Sequence, residues 1–80
     1  MASIKLFGQL AEILGHTVEI DFSDKSFSRT EILGLLAIEF PLHADIIKKC
    51  NVAVNQQYIF DEKVDVTNTE IAIIPPVSGG

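Results

Sequence analysis

The chain has 80 residues, enough for one domain with one core. A domain of that size buries only roughly 60–65% of the surface its unfolded chain exposes. Apolar residues make up 48% and charged ones 21%, in separated segments, which excludes disorder as the default; a net charge of −5 without a basic stripe excludes nucleic acid as the expected target and favours basic or neutral partners.

In chain order, "SIKLF" (Ser3 to Phe7) reads as a strand with Ile4 and Leu6 on one face and Lys5 on the other. "GQLAEILG" places Leu10, Ile13 and Leu14 at helical spacing and closes on Gly15, which predicts a short helical turn. "HTVEIDF" alternates with Val18 and Ile20 inward, a second strand half covered by a core. "SRTEILGLLAIEFP" opens with Ser28 and Glu31 at capping-box spacing, carries Ile32, Leu35, Leu36 and Phe40 near helical periodicity, and stops at Pro41. That is the main helix, in spite of Gly34 inside it. "LHADIIKKC" predicts a short second helix with Ile46 and Ile47 packed beneath the first.

"NVAVN" alternates with Val52 and Val54 inward, "QQ" (Gln56, Gln57) makes a turn, and "YIF" returns as a short strand. "DEKVDVTNTE" is a polar connection in which Asn68 can take φ > 0 at low cost, and "IAII" (Ile71 to Ile74) is the last strand, the most uniformly apolar and so a candidate for the centre of the sheet. Two strands, a crossover helix and three returning strands predict an α+β chain in which a mixed sheet grasps one main helix, a β-grasp or ubiquitin-like fold. The expected division is a β-grasp domain over 1–74 and an extended tail over 75–80. The single Cys50 rules out an internal disulfide, and without clustered His or further Cys it predicts no structural zinc site. "MASIKLFGQL" is too short and too polar for a signal peptide or a membrane span, so a cytoplasmic protein with no membrane partner is expected.

"KLFGQLAEILG", "VAVNQQYIFDE" and "TEIAIIPPVSGG", in that order and over nearly the whole chain, resemble the MoaD-type sulfur carriers, the small subunits of molybdopterin synthase. "PPVSGG" on an apolar strand is the specific part. The chain departs from the family pattern in having Asn68-Thr69 where a Gly-Asp turn is common, and in lacking an arginine often found in the early helical turn. The resemblance implies a non-catalytic subunit that binds no cofactor or metal of its own. A ubiquitin-activating-enzyme-like adenylyltransferase would adenylate Gly80 using ATP and magnesium, and a persulfide donor would convert it to a thiocarboxylate. The sulfur would then pass to the cyclic pyranopterin precursor in the large subunit, within a heterotetramer that holds the catalytic pocket. A carrier for thiamine or tRNA thiolation, or a ubiquitin-like modifier, are the alternatives.

The residues of the tail support such chemistry by themselves. Pro75 and Pro76 give its root a stiff, extended heading, and the four residues from Val77 to Gly80 span at most about 12–14 Å. Val77, Ser78 and Gly79 are the threading segment. Gly79 and Gly80 carry no side chain, so the backbone suits a channel too narrow for other residues. The functional atom is then the carboxylate of Gly80, which needs activation before acyl chemistry. No intrinsic active site is visible: Cys50 reads as a small semi-buried hydrophobe, His16 and His43 as surface or turn residues, and Asp61-Glu62 as a solvated acidic edge. Strand parity leaves Phe7, Tyr58 and Ile74, with Ala72, for the sheet face away from the helix, where the first three are the expected partner-binding residues.

Overall fold

Two interleaved apolar patterns, one of period two and one helical, meet across a single core. The computed structural model describes residues 2–22 and 24–76. The elements run β1 (Ala2–Leu6), α1 (Gly8–Leu14), β2 (Thr17–Ile20), β3 (Ser26–Phe27), α2 (Arg29–Glu39), a 3-10 turn (Pro41–His43), α3 (Ala44–Lys48), β4 (Asn51–Val54), β5 (Gln57–Ile59), β6 (Val64–Asp65) and β7 (Ile71–Ile74). The main sheet has the order β2-β1-β7-β4-β5. β1 and β7 are parallel and the other neighbours antiparallel, so the sheet is mixed and its last strand is central. A strand pair, a crossover helix and a return to the middle of the sheet make this a β-grasp fold.

Register explains how one face becomes the core. Ile4 stands opposite both Val18 and Ile71, Leu6 opposite Ile73, and Val52 opposite Ile73 and Ile59. These inward side chains are buried except Val18, which is half-buried at the β2 edge. α2 covers them with Ile32, Leu33, Leu36 and Ala37, a stripe about one helical turn long repeated once. Leu35 is only partly buried and Phe40 is the C-cap, so the helix is rotated slightly from the face expected of Ile32, Leu35, Leu36 and Phe40. α1 differs similarly. It packs through Leu10 and Ala11, with Leu14 at the margin, and leaves Ile13 exposed. Ile47 of α3 is fully buried and Ile46 partly so, beneath α2 as expected.

The capping box holds: the Ser28 hydroxyl accepts from the Glu31 amide (3.3 Å), and the Glu31 carboxylate accepts from the Ser28 amide (2.9 Å). That second bond is the main reason the Glu31 carboxyl titrates below its ordinary value. Ser28→Ala is expected to cost about 1 kcal/mol, read as a lower denaturant midpoint with an unchanged slope.

Two details differ from the sequence reading. The β4–β5 turn is Asn55-Gln56, both at positive φ (51° and 69°), while Gln57 already pairs with Val54 in β5. This is the two-residue hairpin geometry whose twist matches the flanking strands. The polar connection also contains β6, which pairs with β3 through Ser26 opposite Asp65 and Phe27 opposite Val64. Asn68 has φ 54°, the left-handed conformation expected of it.

Candidate functional site

Val77, Ser78 and Gly79, expected to thread, and Gly80, expected to react, lie outside the described residues. The described part of the site is the tail root and the sheet face beside it. β7 ends at Ile74 and Pro75 and Pro76 follow outside regular structure. β1 ends at Leu6, and Phe7 continues it in extended geometry (φ −130°, ψ 163°) as the N-cap of α1. Phe7 therefore keeps the parity of Lys5 and turns to the open face.

Across that face the register lines up Lys5, Ala72, Ala53 and Tyr58 on four successive strands, β1, β7, β4 and β5. Alanines on the two middle strands leave a floor lower than its surroundings. The result is a depression of about 350 Å³ lined by Lys5, Phe7, Ala53, Gln56, Tyr58, Glu70, Ala72 and Ile74. The structure thus brings Phe7, Tyr58 and Ile74 to one place, next to Pro75. Phe7 is 48% and Tyr58 54% exposed, while Ile74 is half-buried. Sequence reasoning missed Ala53, Lys5, Gln56 and Glu70 as lining. The signal for the floor was present in the small residue at the outward position of both "NVAV" and "IAII".

One rim of the depression is charged. Lys5 Nζ lies 2.6 Å from Glu70 Oε2, with both side chains about half exposed. The hydrogen bond and charge of Lys5 hold the Glu70 carboxyl below its ordinary value. At this exposure the pair contributes little stability and matters more as a fixed charge pattern beside an apolar surface. Glu70 is placed from behind as well: its amide donates to Asn55 Oδ1 (3.0 Å), and the Asn55 amide donates to the Glu70 carbonyl (2.8 Å). The β4–β5 turn is thereby tied to the entry of β7.

The rest of the described surface carries no comparable constellation. Cys50 is fully buried, and its thiol donates to the Ile46 carbonyl at 3.2 Å. Burial pushes its pKa up, with the Arg29 guanidinium a smaller opposing influence. A sulfur relay needs an accessible thiolate, and this thiol is neither accessible nor disposed to ionise. The Cys50 carbonyl instead accepts two bonds from Arg29, through Nε (3.1 Å) and Nη2 (2.8 Å), which fasten the start of α2 to the start of β4. His16 is exposed and His43 half-buried at the N-cap of α3; Asp61 and Glu62 are exposed. Among the described residues no three His, Cys, Asp or Glu side chains converge as a metal site, and no helix is long and apolar enough to cross a membrane. A wider cleft of about 540 Å³ lies at the opposite end of β1 and β7 from Pro75, lined by Ala2, Phe22 and Val66 among others.

Three comparisons bear on this arrangement. The model of the ThiS family matches residues 4–80. The chain is 35% identical over 80 residues to the molybdopterin synthase sulfur carrier subunit of Dictyostelium discoideum, covering 96% of this chain and 93% of that protein. It is 38% identical over 85 residues to the subunit of that name from Caenorhabditis elegans, covering all of both, and 31% identical over 78 residues to that from Arabidopsis thaliana, covering 96% and 80%. Among solved structures it is similar to SAMP1 from Haloferax volcanii, with a TM-score of 0.72 and 30% identity over 98% of this chain and 97% of that one.

Proposed function

The chain belongs to the ThiS family, and on that premise we propose that it is the sulfur carrier subunit of a molybdopterin synthase, with the Gly80 carboxylate as the group that carries sulfur. The observation that carries this reading is the near full-length similarity to three sulfur carrier subunits of that enzyme, within a family match that runs through Gly80.

The chemistry follows from what a carboxylate lacks. At neutral pH it is a poor electrophile, so an adenylyltransferase partner first joins it to AMP, using ATP and magnesium and releasing pyrophosphate. A persulfide sulfur on the donor then attacks the acyl carbon and expels AMP. The acyl persulfide so formed is reduced by two electrons when a donor thiol closes to a disulfide, which frees the thiocarboxylate. In the synthase the large subunit holds the pyranopterin precursor. Two carriers each deliver one sulfur per dithiolene and leave as carboxylates, in a heterotetramer of two carriers and two large subunits.

The depression around Phe7, Tyr58 and Ile74 is the docking face for both partners. It lies beside Pro75, so a partner seated there receives the chain as it leaves β7. The whole cycle is placed in the cytoplasm. Intact-mass analysis of the full chain incubated with an activating enzyme, ATP, magnesium and a persulfide donor tests the reading. A gain equal to one oxygen-to-sulfur replacement, localised to Gly80, is expected. No gain, or a ladder of conjugates to lysine side chains instead, would overturn it.

A further inference from the structure

Among the described residues, Gly8 is the glycine whose open side faces the tail root. Its φ is +58°, a left-handed conformation, at the point where the chain leaves β1 and enters α1. A Cβ placed there would stand 3.5 Å from Cγ and 3.7 Å from Cδ of Pro75. The same construction at Gly15 and Gly34 meets nothing within 4 Å. The parallel register explains the meeting. Leu6 pairs with Ile73 as the last rung, and two residues further along each strand the chain reaches Gly8 and Pro75. Pro75 has no N–H to continue the ladder, and Gly8 has already turned into the helix. The pyrrolidine ring faces the open side of Gly8, at ordinary van der Waals distance from where a Cβ would stand and with no room beyond it in that direction for a longer side chain.

We infer that Gly8 is a positioning residue for sulfur transfer: it seats the Pro75 ring, and that seat sets the heading on which the chain leaves the sheet. The inference rests on the sulfur-carrier reading and adds to it a residue remote in sequence from the reacting carboxylate. Pro75 fixes its own φ, and Pro76 stiffens the next step. A rotation imposed at the ring is therefore passed on rather than absorbed. A side chain longer than a methyl group at position 8 has to displace the ring or turn aside. An error in heading at the root is a misplacement of the reacting group, to which a transfer step is sensitive, while the docking face itself is left intact.

The test uses the full-length carrier, loaded as thiocarboxylate and assayed with the large subunit and precursor. Gly8→Asn keeps a residue tolerant of positive φ and adds a side chain against the ring; Pro75→Ala removes the ring; the double variant completes a cycle. Gly15→Asn serves as a control, because Gly15 also has positive φ (98°) but faces open space. Each of Gly8→Asn and Pro75→Ala is expected to lower kcat roughly three- to ten-fold with KM for the carrier unchanged, and the double variant to fall no further, because both act through one contact. Gly15→Asn is expected to lower the thermal midpoint and leave kcat alone. Unchanged kcat in both single variants, or losses that multiply in the double variant, would overturn the inference. So would an equal loss of kcat in Gly15→Asn; should that control not fold, the cycle of the other three still decides. A wild-type chain that accepts no sulfur defeats the sulfur-carrier reading itself, a result distinct from a wild type that transfers sulfur and variants that match it.

Discussion

Deleting Gly80, or adding one residue after it, is expected to abolish sulfur transfer while the circular dichroism spectrum and denaturation midpoint stay those of the parent chain. Both changes leave a carboxylate at the end of the chain, so the chemistry of the group is untouched. What changes is its position, by one residue of extended backbone, about 3.3–3.6 Å. A transfer step requires reacting atoms within about 3–3.5 Å in the right orientation, and a misplacement of about 1 Å already costs on the order of a hundred-fold. A shift of a whole residue should therefore remove thiocarboxylate formation from measurable range. Folding is insulated because the core is assembled from β1 to β7, whose last buried side chain is Ile73. Intact mass reports the thiocarboxylate and circular dichroism reports the fold, so the two effects separate in one preparation. Activity retained by the extended chain would show that Gly80 is not the carrier group.

Strand parity made most of this fold legible. "SIKLF", "NVAVN" and "IAII" alternate cleanly, so a single sheet face could be assembled from Ile4, Leu6, Val52, Val54, Ile71 and Ile73, and all six are buried. The capping box was legible because its two side-chain bonds demand particular residues three apart. β3 and β6 were not, since two residues each are too few to show alternation, and Phe27 and Val66 become core residues only through the pairing of the segments that carry them. The helix faces were misjudged at Ile13, which is exposed, and at Leu33 and Ala37, which are buried but were not expected, for a related reason. In elements this short the buried stripe is set by which neighbour is available rather than by summed periodicity. At the site, Phe7, Tyr58 and Ile74 could be assigned to one face by counting residues. The depression between them could not, because it depends on Ala53 and Ala72 lying side by side, which is a matter of strand order. The approach of the Pro75 ring to the open side of Gly8 was hidden in the same way: it joins positions 67 residues apart, and only the parallel pairing of β1 with β7 brings them together.

Ile74→Asp is expected to weaken binding to the adenylating enzyme and to the large synthase subunit together, by roughly ten-fold or more, more than about 1–2 kcal/mol. Ile74 is the apolar residue of the patch on the central strand, half-buried between Phe7 and Tyr58 and adjacent to Pro75. An aspartate there puts a charge on the surface a partner must desolvate, and a buried unpaired charge costs more than a lost contact. Tyr58→Ala, at a more exposed position on β5, guards against confusing misfolding with lost docking and should show a loss in the same direction with both partners. The Lys5–Glu70 pair sits at the rim and should act differently. Breaking it with Lys5→Met is expected to change association rates at low salt and much less at high salt, as rim charges do. A carrier handed between two enzymes has to be released by the first before the second can read it, and a shared face enforces this by exclusion. Titration of each variant against each partner, with folding followed in parallel, decides the matter. Undiminished affinity for both in a folded Ile74→Asp chain would place docking elsewhere, and loss with one partner alone would mean that the two enzymes use separate faces and can hold the carrier at the same time.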